Sequence, residues 1–482
     1  CFEIKTIQDR TFRTADPFEM AEEPGKRNIS KILNINETFW EDGDWMKDRK
    51  RQKRWNSPLI IGTIEEGAEE MEDMLQDTCT HILISQQKKD LLRQQEMFPG
   101  QCFLPPRCAG SPEHFHAMIE KAHRNGIGVL LELSWNRRSL VCDEVKNFFL
   151  SSLLFWAREY HVDGFHMIGY APAALVGRDP YLSRVKLFSS SWEGIDGGQH
   201  RHLAEYNEGF CIDMRRFLKG DEDMLNSLVA RTRKNPSSHG VVNYMANTNG
   251  FTLMDAVSYD RKHNEENGEN NQDGCDYNYS WNCGVEGPTN IRDVNELRQR
   301  QMRNMFATLL VSQGIPMICG GDEVMRTQGG NNNAYCQDNE ISWTNWDLDN
   351  SQQEMLAFVS KMIHLRLSHP VLHRRRFFSG RTPGDPVDKI PQAEWFDHTG
   401  SIMDMADWQN THAFSVMIYL NGSDIPEVDW YGNQMVDNDF ILIFNAHYEP
   451  IQFTLPDERY GKKWKLVVDT HNPDGPELNY EA

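Results

Sequence analysis

Residues 161–170, HVDGFHMIGY, hold the first side chains with a choice of chemistry. The stretch reads as the end of an amphipathic helix turning into a short buried strand, which delivers His166 and Ile168 to its carboxyl end. In a repeated strand–helix barrel, the loops at that end converge on one pocket. An imidazole there can act as base or acid, but in an apolar strand it is more often a hydrogen-bonded core residue, and His166 is read that way. Ile168 offers neither a proton nor a nucleophile. Glu132, at the end of another apolar run, is read as pairing with Arg137 or His166, and Asp163 as structural at a strand entrance. Glu193 and Asp196 follow Ser190 and read as loop-surface charges, with Glu193 as the one acid that could swing inward.

The chain that positions these residues is 482 residues long, enough for a large core and two or three domains. Its 39% hydrophobic and 25% charged residues are those of a soluble globular protein. A net charge of −21 argues against nucleic acid and anionic membrane surfaces, and suits a neutral polymer or small molecule. No apolar run reaches the length of a membrane span; the best, 148–156, is broken by two serines. No signal peptide is read at the start. The ten cysteines show no CxxC pair and no ligand-like histidine spacing, so no metal or cofactor is expected. Cys102 with Cys108, or Cys275 with Cys283, could bridge, but reduced buried thiols in a cytoplasmic protein are the reading adopted.

Residues 2–7 alternate as an edge strand does, and the basic run 47–54 reads as a solvated surface segment. From residue 58 onward, short apolar runs at 58–61, 80–84 and 128–133 alternate with helical patterns. Ser111 and Pro112 open one helix, Phe115, Met118, Ile119 and Ala122 form its apolar stripe, and Asn125-Gly126 stops it. Further strands are expected at 162–168, 184–189, 203–207, 241–246 and 315–319, with helices from 143, over 293–313 and over 352–368. Eight strands with intervening helices favour a (β/α)₈ TIM barrel over a doubly wound sheet. After His369-Pro370 the chain reads as β, at 414–420, 440–444, 451–455 and 464–468, giving a C-terminal antiparallel β-sandwich. Composition alone marks 260–288 as disordered, yet Tyr277, Tyr279, Trp281 and two cysteines favour an ordered, pocket-lining loop.

Several long strings, NYSWNCGVEGPTN (278–290), RQRQMRNMFATLLVSQGIPMICGGDE (298–323) and RTQGGNNNAYCQDNEISWTNWDL (326–348), closely resemble the isoamylase and glycogen-debranching branch of the α-amylase superfamily, glycoside hydrolase family 13. Residues 156–165, 203–221 and 249–274 add to the resemblance, which runs from about residue 16 to the end. It implies a barrel over 57–370 and a β-sandwich over 371–482. Residues 1–56 look like the tail of a carbohydrate-binding β-module plus a linker.

The resemblance also implies where the chemistry would sit. Retaining glycosidases need two carboxyl groups about 5–5.5 Å apart, one a nucleophile and one an acid/base. The family's nucleophilic Asp closes a G-F-R-x-D pattern; here Gly164-Phe165-His166-Met167-Ile168 puts Ile168 there and His166 in place of the orienting arginine. The acid, a Glu before Pro-Trp, corresponds to Ser190, and the His-Asp pair after strand seven to Thr248 and Asn249. In the strand-three motif, Asp-x-x-x-Asn-His, only Asn136 is retained. Isoleucine is no nucleophile, and a serine hydroxyl is far too weak an acid.

These departures lead to a pseudoenzyme reading: a non-catalytic homologue of debranching enzymes that binds α-glucan or serves an active debranching enzyme as a regulatory or scaffold subunit. An active α-1,6 hydrolase with relocated acid and base groups, and a structural barrel with a closed pocket, are the alternatives. For sugar contact the candidates are Trp135, Trp192, Tyr277 and Trp281 as stacking platforms, each equally open to core packing. Asn136, Arg326, Gln328 and Asn331 are the polar candidates, although loop amides also satisfy their own backbone.

Overall fold

A computed structural model describes residues 2–5, 9, 11–14, 18, 20–21, 33–34, 39–49, 60–64, 79–84, 102–106, 110–135, 143–193, 202–234, 239–374, 378, 389–429, 431–473, 475 and 478–481. The edge strand read near the start is β1 (Phe2–Lys5), paired antiparallel with β2 (Thr11–Thr14). Eight strands then form a closed barrel: β3 (Ile61–Ile64), β4 (His81–Ile84), β5 (Gly128–Trp135), β6 (Gly164–Gly169), β7 (Lys186–Ser189), β8 (Leu203–Tyr206), β9 (Gly240–Tyr244) and β10 (Ile315–Ile318). The order is sequential, with β10 closing on β3, and the strands from β3 to β8, like β9 and β10, pair parallel. This is the (β/α)₈ barrel expected from the alternation of apolar runs and helical stripes. The chain divides into two compact units, Cys1–Tyr206 with Ser238–Gly240, and Asn207–Ser237 with Val241–Ala482.

In the first unit, local chemistry sets the helix boundaries. Ser111 caps Pro112–Arg124 by accepting the His114 N–H at 3.2 Å, and Phe115, Met118, Ile119 and Ala122 are buried as the stripe requires. Helix Asp143–Glu159 buries Phe149, Leu153, Phe155 and Trp156. The central strands β5 and β6 are buried along nearly their whole length, so they read as continuous apolar runs rather than alternating ones. Two glycines of β6 are required by space. A Cβ on Gly164 would strike the Lys186 carbonyl, and Gly169, at φ +83°, lies against the Trp135 carbonyl where a left-handed turn ends the strand.

In the second unit, helices Arg292–Val311 and Asn350–Ser368 match the expected helical patterns, the latter opened by an Asp349–Gln352 capping box. The C-terminal part pairs β11 (Ala393–Phe396), β12 (Ser415–Leu420) and β13 (Phe440–Asn445) antiparallel, with a separate antiparallel pair β14 (Lys463–Lys465) and β15 (Asn479–Glu481). Phe396, Met417, Tyr419 and Tyr460 form the core, with Phe453 and Trp464 packed on it. Residues 451–455, expected as a strand, join no ladder. Phe453 is drawn into that core, and Thr454 donates its N–H to the His398 carbonyl in a loop. Among the described residues no helix is long and apolar enough to cross a membrane.

Candidate functional site at the strand ends

The ladder of the first unit fixes which residues share a layer. Glu132 stands opposite His166, and His166 opposite Phe188; two positions on, Ser134 stands opposite Ile168. Strand alternation therefore puts Ser134 and Ile168 one layer above Glu132, His166 and Phe188, while Ser190 follows directly after the end of β7. In the lower layer His166 Nδ1 lies 2.8 Å from Glu132 Oε2, with both side chains buried. The imidazole lies parallel to Phe188 at 4.8 Å and meets Tyr206 edge-on at 4.7 Å. His166 Nε2 is buried without a hydrogen-bond partner among the described residues. An imidazole–carboxylate pair can relay a proton, but this ring has one face on Phe188, Tyr206 against it and its second nitrogen buried. It holds a packed layer together.

In the upper layer Ser134 is fully buried and Ile168 half-buried; Ser190, just past β7, is exposed. No carboxylate stands among them. At the ends of β5, β6 and β7, the described carboxylates are Glu132, already paired, and Glu193, which is exposed. The Glu193 backbone is fixed to the β6–β7 connection through Ala171 and Ala173. Trp135 is 1% exposed and packs edge-on against Phe149 at 4.3 Å. Trp192 is likewise buried and donates Nε1–H to the Ala204 carbonyl at 2.7 Å. Asn136, Arg137 and Asp196 lie outside the described residues.

The segments after β9 and β10 belong to the second unit. Thr248 is half-buried and Asn249 exposed, with the Asn249 N–H donated to Asn247 Oδ1 at 2.9 Å. Residues 260–288 are ordered by amides rather than by apolar packing. Asn332 donates to Asn278 Oδ1 at 2.8 Å and to the Cys275 carbonyl at 2.7 Å, and Asn264 donates to Asn332 Oδ1 at 2.9 Å. Asn331 donates to Asn267 Oδ1 at 2.9 Å, so its amide serves the loop itself. Arg326 Nη1 reaches the Ser342 carbonyl at 3.3 Å. Gln328 is nearly buried, and its N–H is held by Asp255 Oδ2 at 2.9 Å, beside a Thr327 hydroxyl bond to the same carboxylate. The aromatics differ: Tyr277 is 79% exposed, whereas Trp281 is half-buried with its N–H on the Ala256 carbonyl at 2.9 Å.

Asp322 and Glu323, directly after β10, went unnoticed as chemical residues in the sequence. Both are buried, and burial raises each carboxyl to about 7. Asp322 accepts the Leu253 N–H at 2.9 Å, and Glu323 Oε2 has no hydrogen-bond partner among the described residues. A raised carboxyl in an active-site region is a candidate acid. Enclosure from solvent makes both structural instead, and Asp322 is further fixed by the Leu253 N–H. The sequence signal was a Gly-Gly-Asp-Glu turn in which two acids follow an apolar strand.

A parallel eight-stranded barrel with a C-terminal antiparallel sheet is a fold found in solved structures. The fold matches the pullulanase from Bacillus acidopullulyticus with a TM-score of 0.67 at 14% identity, covering 99% of this chain and 65% of that one. It matches the pullulanase complexed with maltotetraose from Anoxybacillus sp. LM18-11 with a TM-score of 0.64 at 14% identity, covering 98% and 76%. At such identities the likeness shows the fold alone. Residues 392–478 match the family described as "Isoamylase, C-terminal". The glycogen operon protein GlgX homolog of Mycobacterium tuberculosis is 41% identical over 355 residues, 68% of this chain and 49% of the relative. Isoamylase 3, chloroplastic, of Oryza sativa subsp. japonica is 34% identical over 380 residues, 71% and 44%. The chain belongs to the isoamylase-type debranching branch of the α-amylase superfamily, glycoside hydrolase family 13. It spans about half the length of the curated relatives it matches.

Proposed function

We propose that this chain is a non-catalytic debranching homologue that binds α-glucan, acting as a regulatory or scaffold subunit beside an active debranching enzyme. The observation that carries this reading is the absence of a carboxylate at Ser134, Ile168 and Ser190 at the described strand ends, with Ser134 and Ile168 paired one layer above the enclosed Glu132–His166 pair. None of the three can attack an anomeric carbon or protonate a leaving oxygen. The glucan part of the proposal draws on a structural neighbour complexed with maltotetraose and on exposed Tyr277. A cytoplasmic setting is part of the same reading, supported by free thiols at Cys211, Cys275, Cys283 and Cys336. So is the division into an N-terminal extension (1–56), barrel (57–370) and C-terminal sandwich (371–482).

The test pairs two measurements on the full chain. Reducing-end release from glycogen, amylopectin and pullulan is expected to be nil, and calorimetric titration with maltotetraose is expected to show binding. Turnover that disappears in Ser190→Ala or Glu193→Ala overturns the non-catalytic reading. Absence of heat on titration overturns the glucan-binding part and favours the closed barrel, a reading to which buried Trp135 and Trp192 lend weight.

A further inference from the structure

At the amino-terminal end of β6, away from the layers just described, the first unit gathers charged groups that the proposed function does not use. Residues 39–49 lie across this base. Trp40 donates Nε1–H to the Glu159 carbonyl at 3.2 Å, and the Glu41 N–H bonds Glu120 Oε1 at 2.7 Å. Arg49 donates to the carbonyls of His161 and Val162 at 2.8 and 2.9 Å. These residues therefore join helix Pro112–Arg124 to the turn that feeds β6. At their centre, His123 has Nδ1 2.8 Å from Asp42 Oδ2 and Nε2 2.9 Å from Asp163 Oδ2, with its side chain fully enclosed.

This geometry has a consequence for protons. Ionised carboxylates only accept hydrogen bonds, and a neutral imidazole has a single N–H to give. Both contacts are satisfied together only when His123 carries two protons. We propose that 39–49 is a strap whose grip on the barrel base is gated by His123, a two-way bridge between strap Asp42 and barrel Asp163, so that the strap tightens when the ring is doubly protonated and loosens when one proton leaves. Trp45 belongs to the same device. Its ring stacks on His123 at 4.9 Å and 17°, and its Nε1–H bonds Asp163 Oδ1 at 3.0 Å, so the imidazolium has an aromatic face on the strap as well as a carboxylate.

The surrounding charges are accounted for element by element. Asp42 also receives His161 Nδ1 at 2.8 Å. Asp163 also accepts the Val129 N–H at 2.8 Å and stands 3.4 Å from Arg49 Nη1. Lys186 of β7 acts on Asp163 at longer range and His81 of β4 stands near it; burial lowers His81 to about 3 and Lys186 to about 8. His116 and Glu120 flank Asp42 from the helix, where burial lowers His116. His81, neutral throughout the working range, does not compete for either aspartate.

Burial works against the charged ring, but the hydrogen bonds to Asp163 and Asp42 win and hold His123 above its ordinary 6.5. Burial likewise opposes charge on Asp42 and Asp163, and their bonds to His123 hold both below the ordinary 3.8. The histidine's contribution is thus complete below 6.5 and lost as pH rises through the folded value. The aspartates' contribution is complete above 3.8 and lost as pH falls through their depressed values. The grip is tightest on the mildly acidic side of neutrality, and alkalinisation releases it.

Hydrogen exchange of peptides covering 39–49 in the full chain, corrected for intrinsic rates between about pH 6 and about pH 9, tests this. Protection is expected to fall with rising pH, by at most about tenfold per unit for one linked proton, and then to level off. His123→Gln is expected to abolish the slope, while His161→Gln lowers protection but keeps it. Should His123→Gln fail to fold, Asp42→Asn, which removes the strap-side charge alone, must flatten the slope in the same way. A strap whose protection is independent of pH in the native chain overturns the proposal. So does a slope that survives in Asp42→Asn, or one removed by His161→Gln and not by His123→Gln. Glucan binding plays no part in any of these outcomes.

Discussion

Glu132 of β5 and His166 of β6 face one another across a parallel ladder, and their side chains meet at 2.8 Å between Oε2 and Nδ1. The pair sits where the family pattern has an aspartate and an arginine, so a longer acid here meets a shorter base. Breaking one side of a buried pair leaves a charge without its partner and typically costs about 3–5 kcal/mol, whereas replacing both sides by apolar groups of similar volume is often neutral. His166→Leu is therefore expected to lower stability by about that amount. Glu132→Leu/His166→Leu should recover most of the loss, as read from urea midpoints. A double variant as unstable as the single one would give the pair a role beyond packing.

Reinstating one carboxylate should not reinstate chemistry. Ile168→Asp supplies a nucleophile, but Ser190 still provides no acid, and glycosidic cleavage needs both. Ile168 is also half-buried directly above the Glu132–His166 layer, so a new carboxylate there adds a second negative charge beside Glu132. The expected outcome is no reducing-end release and a loss of about 1–3 kcal/mol in stability. Release of reducing ends by this single variant would mean that an acid other than Ser190 already serves the mouth.

The barrel was legible because its strands are short apolar runs at regular spacing between well-capped helices, as in Ser111–Pro112 before Phe115. Residues 451–455 misled because Ile451, Phe453 and Leu455 alternate as a strand does, and alternation cannot distinguish a ladder from a loop that sends Phe453 into a core. Trp135 and Trp192 were open to two readings because an indole serves equally well as a platform or as core, and only burial decides. The basic run 47–54 reads as solvated in the sequence, and of it residues 47–49 are described. Lys47 is exposed and paired with Asp44, but Arg49 turns inward to cap carbonyls 112 and 113 residues away, a long-range contact that no local pattern carries. Asp163 did reveal its structural role, since an acid just ahead of a buried strand has backbone N–H groups to satisfy.

The two carboxyls after β10 make stability depend on pH in the opposite sense to the strap's aspartates. Burial holds Asp322 and Glu323 at about 7, above their ordinary values of 3.8 and 4.5. The folded state then binds more protons than the unfolded one, so stability falls as pH rises from about 4 through about 7 and is flat beyond. Glu323→Gln keeps the shape and removes the ionisation. It is expected to raise stability at pH 8, on the order of 3 kcal/mol, and to flatten the profile between pH 5 and 7. Asp322→Asn, which can still accept the Leu253 N–H, should act in the same direction. Thermal midpoints measured across pH for the three proteins decide the matter, and a profile unchanged in both variants would mean that neither carboxyl is held neutral.

Tyr277 is the sugar-platform candidate whose ring is most accessible, and its loop is held by Asn264, Asn278 and Asn332 rather than by the ring itself. Removing the ring should therefore leave the loop standing. Tyr277→Ala is expected to weaken maltotetraose binding by about fivefold, equivalent to about 1 kcal/mol for one exposed aromatic contact, with an unchanged unfolding midpoint. Trp135 gives the contrasting case. Its ring is packed on Phe149, so Trp135→Ala should cost about 3–5 kcal/mol through the cavity it leaves. Trp135→Phe, which keeps part of that packing, should leave affinity untouched. Calorimetry on Tyr277→Ala and Trp135→Phe separates the two roles. If Trp135→Phe weakens binding while Tyr277→Ala does not, sugar is recognised deep in the first unit, and the layer above His166 opens to admit it.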